Sequence, residues 1–243
     1  IRAGDFGETQ IFGGDGDDRL YLDWGSQWDN IADRLYGEDG RDRFYITNVP
    51  TNGFLDGGAG DDDRLEFELY DLRDLDSHDG YLRDTVFNGQ AIPVLEVHAD
   101  ASIGEWKIVD PAGNDRSLGG GKIINIENFQ VDDDLRDLVV ATFVGDEGRN
   151  RLYGSNAVDA NGLGDYLVGN GGSDTFLPFL GNDLVVGGDG SRDRVDYMRS
   201  VQEGVNRVEI YLGGFEQDLS SLVAPYDSAL AASVNASSSV GKA

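Results

Sequence analysis

Residues 13–21 read GGDGDDRLY, with three glycines and three aspartates in the first six positions and Arg-Leu-Tyr after them. Such a run suits neither a helix nor an ordinary strand, because glycine weakens both and aspartate competes for backbone hydrogen bonds. It reads as a tight loop with exposed carbonyls that feeds a very short strand. Three relatives share the form: GEDGRDRFY (37–45), GDEGRNRLY (145–153) and GNGGSDTFL (169–177). Each has glycine at positions one and four, Asp or Asn at six and a large apolar residue at eight. Two lengthened copies, GGAGDDDRLEF (57–67) and GGDGSRDRVDY (187–197), carry an extra residue. Weaker copies keep only the Asp-x-apolar end, at Asp33, Asp165 and Asp183.

The copies are themselves duplicated. Residues 13–45 align with 145–177 at a constant offset of 132 and share 11 of 33 residues. Each half then closes with its lengthened copy. Self-similarity at a short fixed period is the mark of a solenoid, in which each unit buries its apolar side chain only against its neighbours. The position-eight residues are expected to point inward: Leu20, Leu35, Phe44, Leu55 and Leu65 in the first half, and Leu152, Leu167, Phe176, Val185 and Val195 in the second.

Composition narrows the partners. Forty-six acidic residues against 19 basic ones give a net charge of −27, which repels nucleic acid and anionic membrane and favours cations. An apolar fraction of 39% with 24 aromatic residues is too high for a simple disordered acidic tail. Cysteine is absent, so disulfides and thiolate metal sites are excluded. No apolar run approaches the ~20 residues of a membrane helix.

The nonapeptide resembles the G-G-x-G-x-D-x-U-x repeat of the RTX (repeats-in-toxin) family, over residues 13–67 and 145–197. The resemblance implies an all-β, right-handed parallel β-roll whose stacked loops bind several Ca²⁺ ions. Local chemistry agrees: glycine loops expose carbonyls, the sixth residue adds a carboxylate, and an all-oxygen cage suits Ca²⁺ better than Mg²⁺. In the family two nonapeptides complete one coil, so alternate loops share an edge. One edge then receives the loops with Gly13, Asp15 and Asp18; Gly37, Asp39 and Asp42; and Gly57, Ala59, Asp62 and Asp63. The second half adds Gly145, Glu147 and Asn150; Gly169, Gly171 and Asp174; and Gly187, Asp189 and Asp193. Asn150 departs from Asp and is expected to weaken its site. The other edge receives the long, poorly acidic 22–33 and 46–53 segments, with Asp165 and Asp183 as its metal candidates.

The expected organisation is a first roll block at 1–67, a β-rich insertion at 68–131, a second block with a capping strand at 132–222 and a tail at 223–243. Two short rolls, each folding by itself, are expected rather than one. An EF-hand reading of YDLRDLDSHDG (70–80) fails, because Gly80 falls one position late and Thr85 occupies position twelve. No enzyme motif is present: His78 and His98 belong to no metal-binding pair and are expected on exposed surface. Trp24 and Trp28 are expected to close over the side of the roll.

The function these features imply is a calcium-binding, non-enzymatic structural module of a bacterial extracellular protein. The resemblance adds type I secretion and folding on Ca²⁺ outside the cell. The parent would be a surface-layer, fibre, adhesin or toxin protein. The alternatives are an accessory module beside a secreted protease, lipase or alginate-modifying enzyme, and a calcium-assisted carbohydrate-binding module. Expected partners are calcium ions, with self-association or a cell-surface glycan as further contacts, and neither nucleic acid nor membrane insertion.

Overall fold

The computed structural model describes residues 1, 7–22, 32–48, 51–60, 62–69, 95–110, 116–159, 162–190, 192–196 and 208–211. The expectations for Trp24, Trp28, His78, the 70–80 segment and the tail lie outside the described residues. Within them the protein is all-β, with two largely parallel sheets whose strands alternate along the chain. Short glycine-bounded strands of two to nine residues explain the alternation, since each loop hands the chain from one sheet to the other.

The first coils run β1 (Gln10–Asp15), β2 (Arg19–Leu22), β3 (Asp33–Asp39), β4 (Arg43–Ile46), β5 (Thr51–Asp56) and β6 (Arg64–Phe67). The insertion supplies β7 (Leu95–Asp100), β8 (Glu105–Asp110), β9 (Arg116–Ile124) and β10 (Asn128–Val131), followed by a 3-10 turn at Asp133–Leu135. The second block runs β11 (Val139–Val144), β12 (Arg151–Tyr153), β13 (Tyr166–Val168), β14 (Thr175–Leu177), β15 (Asp183–Val186), β16 (Arg194–Val195) and β17 (Val208–Tyr211).

One sheet has the order β1-β3-β5-β9-β8-β7-β11-β13-β15-β17, and the other β16-β14-β12-β10-β6-β4-β2. Register follows the repeat. Leu20 pairs with Phe44, Phe44 with Leu65, Leu65 with Phe129, Phe129 with Leu152 and Leu152 with Phe176. Equivalent side chains therefore stack in rows on the inner face. Leu20, Leu35, Phe44, Leu55, Leu65, Leu152, Leu167, Phe176 and Val185 are all fully buried, as their position in the repeat requires, and Val195 is partly buried.

Both sheets continue through the insertion. β10 lies between β6 and β12, while β9, β8 and β7 fill the space between β5 and β11. The two blocks are thus coils of one stack rather than two rolls set apart by the insertion. The β7–β8 and β8–β9 pairings are antiparallel, and every other pairing in both sheets is parallel. At this point one sheet carries three strands where the other carries one, and the space between them has to be filled. Large aromatic side chains fill it: Phe67 lies 6.0 Å from Phe143 and 6.4 Å from Trp106, and Phe129 lies 5.7 Å from Phe143 between ring centroids. β17 pairs in parallel with β15 and extends the larger sheet past the last repeat.

Candidate metal centre along the roll edge

The loops β1–β2, β3–β4, β5–β6, β11–β12, β13–β14 and β15–β16 all cross from the larger sheet to the smaller one, so they lie along a single edge. The alternation of strands between the sheets produces this directly. It gathers all six strong repeats on the same side. There the sixth-position residues form a ladder. The Asp18 backbone N–H donates to Asp42 Oδ1 at 2.8 Å, and the Asp42 N–H donates to Asp63 Oδ1 at 2.6 Å. In the second block the Asn150 N–H donates to Asp174 Oδ1 at 2.8 Å and the Asp174 N–H to Asp193 Oδ1 at 3.0 Å.

Each such carboxylate uses one oxygen to receive the coil before it. The other oxygen turns into the loop. Oδ2 of Asp42, Asp63 and Asp174 is buried and has no protein hydrogen-bond partner, although the residues themselves are at most 1% exposed. A carboxylate oxygen withdrawn from water without a partner carries a large desolvation cost unless a proton or cation meets it. Burial accordingly pushes the Asp63 and Asp174 carboxyls up to about 7 and raises Asp42 as well. Neighbouring carboxylates along the stack push in the same direction.

The first-position glycines follow from the same geometry. A Cβ on Gly57 would stand 2.6 Å from Asp63 Oδ2, and one on Gly13 would stand 2.9 Å from Asp18 Oδ2. On Gly37 it would overlap Asp42 Oδ2 and stand 2.5 Å from the Gly57 carbonyl oxygen. Side-chain oxygen and main-chain carbonyl therefore converge where the repeat leaves out a side chain. Such a cradle of oxygens, with an unpartnered carboxylate oxygen inside it, fits a hard cation of the calcium type.

The remaining candidates divide. Asp15, Asp39, Ala59, Glu147 and Asp189 are exposed. The Asp39 and Ala59 carbonyls accept hydrogen bonds from Gly16 and Gly40, so they take part through the main chain. Gly171 is buried in its loop. Gly145, Gly169 and Gly187 stand against Asn150, Asp174 and Asp193 as Gly37 stands against Asp42. Of the neighbours Asp62 and Asp63, only Asp63 joins the ladder. Asp62 instead pairs with Arg151 and accepts from Asn128 Nδ2 at 3.1 Å; partial burial works to raise its carboxyl, but the Arg151, Arg64 and Arg41 guanidiniums lower it.

Asn150 closes its own loop. Its side-chain amide donates to the Glu127 carbonyl at 3.0 Å and to Asp146 Oδ1 at 3.1 Å, while its Oδ1 accepts the Asp146 N–H. Every polar atom of that amide has a partner.

On the opposite edge, Asp165 and Asp183 are both buried and share a rung, the Asp165 N–H donating to Asp183 Oδ1 at 2.9 Å. Burial raises both carboxyls, and the Asp165 carboxylate pushes Asp183 further in the same direction. Yet they differ. Asp165 accepts from the Ala141 N–H and from the Ser155 N–H and hydroxyl, whereas Asp183 Oδ2 is unpartnered. Gly53, where an acid would complete a rung, instead receives the Trp106 indole N–H on its carbonyl at 3.2 Å.

Two participants carry no strong repeat signature. Thr9 occupies the sixth position of GDFGETQIF (4–12), and its N–H donates to Asp33 Oδ1 at 2.8 Å. The spacing of Gly4 and Gly7 was the available signal. Glu127, from the insertion, accepts the Asp63 N–H on Oε2 at 2.9 Å and thereby extends the ladder. His98 is buried, not exposed as expected: it lies on β7, 8% exposed, with Nε2 3.2 Å from Glu96 Oε2. Elsewhere, carboxyl oxygens of Glu66, Glu68 and Asp132 come within 4.8 Å of one another.

Among proteins already characterised, no family model and no curated relative matches this chain.

Proposed function

We propose that this chain is a calcium-dependent structural module of the RTX kind, a right-handed roll whose stacked loops hold Ca²⁺ along one edge. The observation that carries the reading is the ladder itself. Coil after coil presents a buried carboxylate with one oxygen hydrogen-bonded and the other, on Asp42, Asp63 and Asp174, facing a glycine-lined cradle without a partner. Calcium held there would supply the positive charge that the stacked carboxylates lack, and Asp18, Asp42, Asp63, Asp174 and Asp193 would be its side-chain ligands. Asp183 would add a ligand on the opposite edge.

The role follows from the coupling of ion to fold. One apolar side chain buried per nonapeptide does not offset the ordering of nine residues, so ion binding supplies folding free energy. A chain that stays loose at low calcium and sets at high calcium suits export through a narrow secretion channel followed by folding outside a bacterial cell. There it would serve as a non-catalytic part of a surface-layer, fibre, adhesin or toxin protein. Far-UV circular dichroism during calcium chelation tests this. The β signal should largely disappear in EDTA and return cooperatively with millimolar Ca²⁺, whereas an unchanged spectrum after complete chelation would sink the proposal.

A further inference from the structure

One rung of the ladder comes from outside the repeats. Between β9 and β10 only residues 125–127 cross the edge, against seven residues, 57–63, in the loop beside them. A crossing of three residues takes the place of one of seven, and glutamate has one more methylene than aspartate. Glu127 Oε2 uses that reach to accept the Asp63 N–H at 2.9 Å, as Asp63 accepts the Asp42 N–H and Asp42 the Asp18 N–H.

Two oxygens converge at this point, and Glu127 binds the backbone beside them. Asp63 is fully buried, and its Oδ2 is unpartnered and points at Gly57. The Asn125 carbonyl oxygen also presses on Gly57, so closely that a Cβ would overlap it. Glu127 Oε2 holds the Asp63 N–H next to them. Its carboxyl lies mostly out of water, and burial pushes it up to about 7. Among the described residues no lysine or arginine forms an ion pair with Asp63 or Glu127.

We propose that Glu127, Asp63 and the Asn125 carbonyl hold a divalent cation, calcium by the all-oxygen character of the set, at the joint between the first repeat block and the insertion. This rests on the calcium reading above and completes the Asp63 cage at Gly57 with ligands from the insertion that the nonapeptide pattern does not contain. It makes the β9–β10 crossing part of the metal-bearing edge, so calcium sets the insertion in place together with the first block. On the other side of this crossing, Asn150 meets the Glu127 carbonyl with an amide, and no ion is needed there.

Counting bound calcium on the full chain, by calorimetry and native mass spectrometry, tests the site. Glu127→Gln keeps an acceptor for the Asp63 N–H and removes only the charge. It should bind one ion fewer than wild type, with the remaining ions retained. Glu105→Gln, an exposed change on β8 of the same insertion, should leave the count unchanged. Glu127→Lys places a fixed charge where the ion would sit, and should fold with the same reduced count. A wild-type chain that takes up no calcium defeats the reading of the whole edge. A wild-type chain that binds calcium beside a Glu127→Gln variant with the same count and affinity defeats this site alone. Failure of both Glu127 variants to fold at millimolar calcium also overturns it, because loss of one ion should leave the other cages standing.

Discussion

On the edge that carries Asp42 and Asp63, each sixth-position carboxylate receives a backbone N–H from the preceding coil and turns its second oxygen into a glycine cradle. On the opposite edge the same rung recurs at Asp33, Asp165 and Asp183, receiving the N–H groups of Thr9, Ala141 and Asp165. The hydrogen bond that registers the coils is common to both edges. They differ in what meets the rest of each rung. Ser155 satisfies Asp165, and Trp106 reaches the carbonyl of Gly53, where an acid is absent. On the opposite edge a protein group thus meets Asp165, while Asp183 Oδ2 is left without one, as are Asp42 and Asp63 on the first edge. In the calcium reading proposed above, a repeat aspartate would serve as a metal ligand where its second oxygen has been left without a protein donor.

Substitutions on the two edges should separate most widely. Asp42→Ala or Asp174→Ala removes a middle rung that serves the loops on either side of it. Each change forfeits a charged hydrogen bond of roughly 1.5–3 kcal/mol and the ion contacts in addition. The calcium midpoint of folding should rise, by less than the tenfold that ~1.4 kcal/mol gives for a single ion, because the cost is shared over the several ions that bind with folding. Asp33→Ala should move it much less. Calorimetry showing equal loss of bound calcium from all three variants would remove the distinction between the edges.

Protons should act as a weak substitute for the ion. The Asp63, Asp174 and Glu127 carboxyls are raised to about 7 by burial, against about 4 in an unfolded chain. Between those values the folded, metal-free chain holds protons that the unfolded chain has released. Its stability therefore rises as pH falls through 7 towards 4, and is lost as pH rises through 7. Asp17 and Asp62, lowered by their arginine partners, work in the opposite sense, but only nearer to 4 and below. In EDTA the β signal should be larger at pH 5 than at pH 8. With calcium present the order should reverse, because protons then compete for the ligand oxygens. The same pH response in both conditions would mean that the buried carboxyls are not the groups the ion neutralises.

Much of this was legible in the repeat. Its position-eight residues lined the core, and its alternation placed Gly13, Gly37, Gly57, Gly145, Gly169 and Gly187 on one edge, because period and register are local properties of the nonapeptide. The joint was not legible. Nothing in INIENFQV (124–131) repeats the glycine spacing, so Glu127 enters the ladder only through the pairing of β10 between β6 and β12. That pairing also makes one stack from what read as two rolls. The burial of His98 arises in the same way, from the pairing of β7 with β8 and β11. Between Asp62 and Asp63 the choice depended on which of them Arg151, 89 residues away in sequence, would claim.

The Gly53 position on the opposite edge, where an indole N–H stands in place of a rung, should be breakable without touching calcium. Trp106→Phe removes the indole donor from the buried Gly53 carbonyl and should destabilise the calcium-loaded chain by ~1–3 kcal/mol. The number of ions bound should stay the same. If thermal unfolding is unaffected while calcium is lost, the neutralising role belongs elsewhere.

The smallest effect is expected where the edge proposed to hold calcium already satisfies its rung with protein groups, at Asn150. Asn150 satisfies its own loop by donating its amide to the Glu127 carbonyl and to Asp146. Asn150→Asp restores the repeat's usual carboxylate, so it removes two donors and sets a second negative charge beside Asp146. In EDTA this can only weaken the chain. In calcium the new carboxylate, with the carbonyls freed from the amide, should recruit one additional ion. The gain and the lost hydrogen bonds act against each other, which leaves thermal stability in saturating calcium within about 1 kcal/mol of wild type. The informative quantity is therefore the difference between conditions. Calcium dependence of the unfolding temperature should steepen in Asn150→Asp, with one more ion counted by native mass spectrometry. An unchanged count, with stability lost equally in both conditions, would show that the amide is a structural joint that a carboxylate cannot convert into a cage.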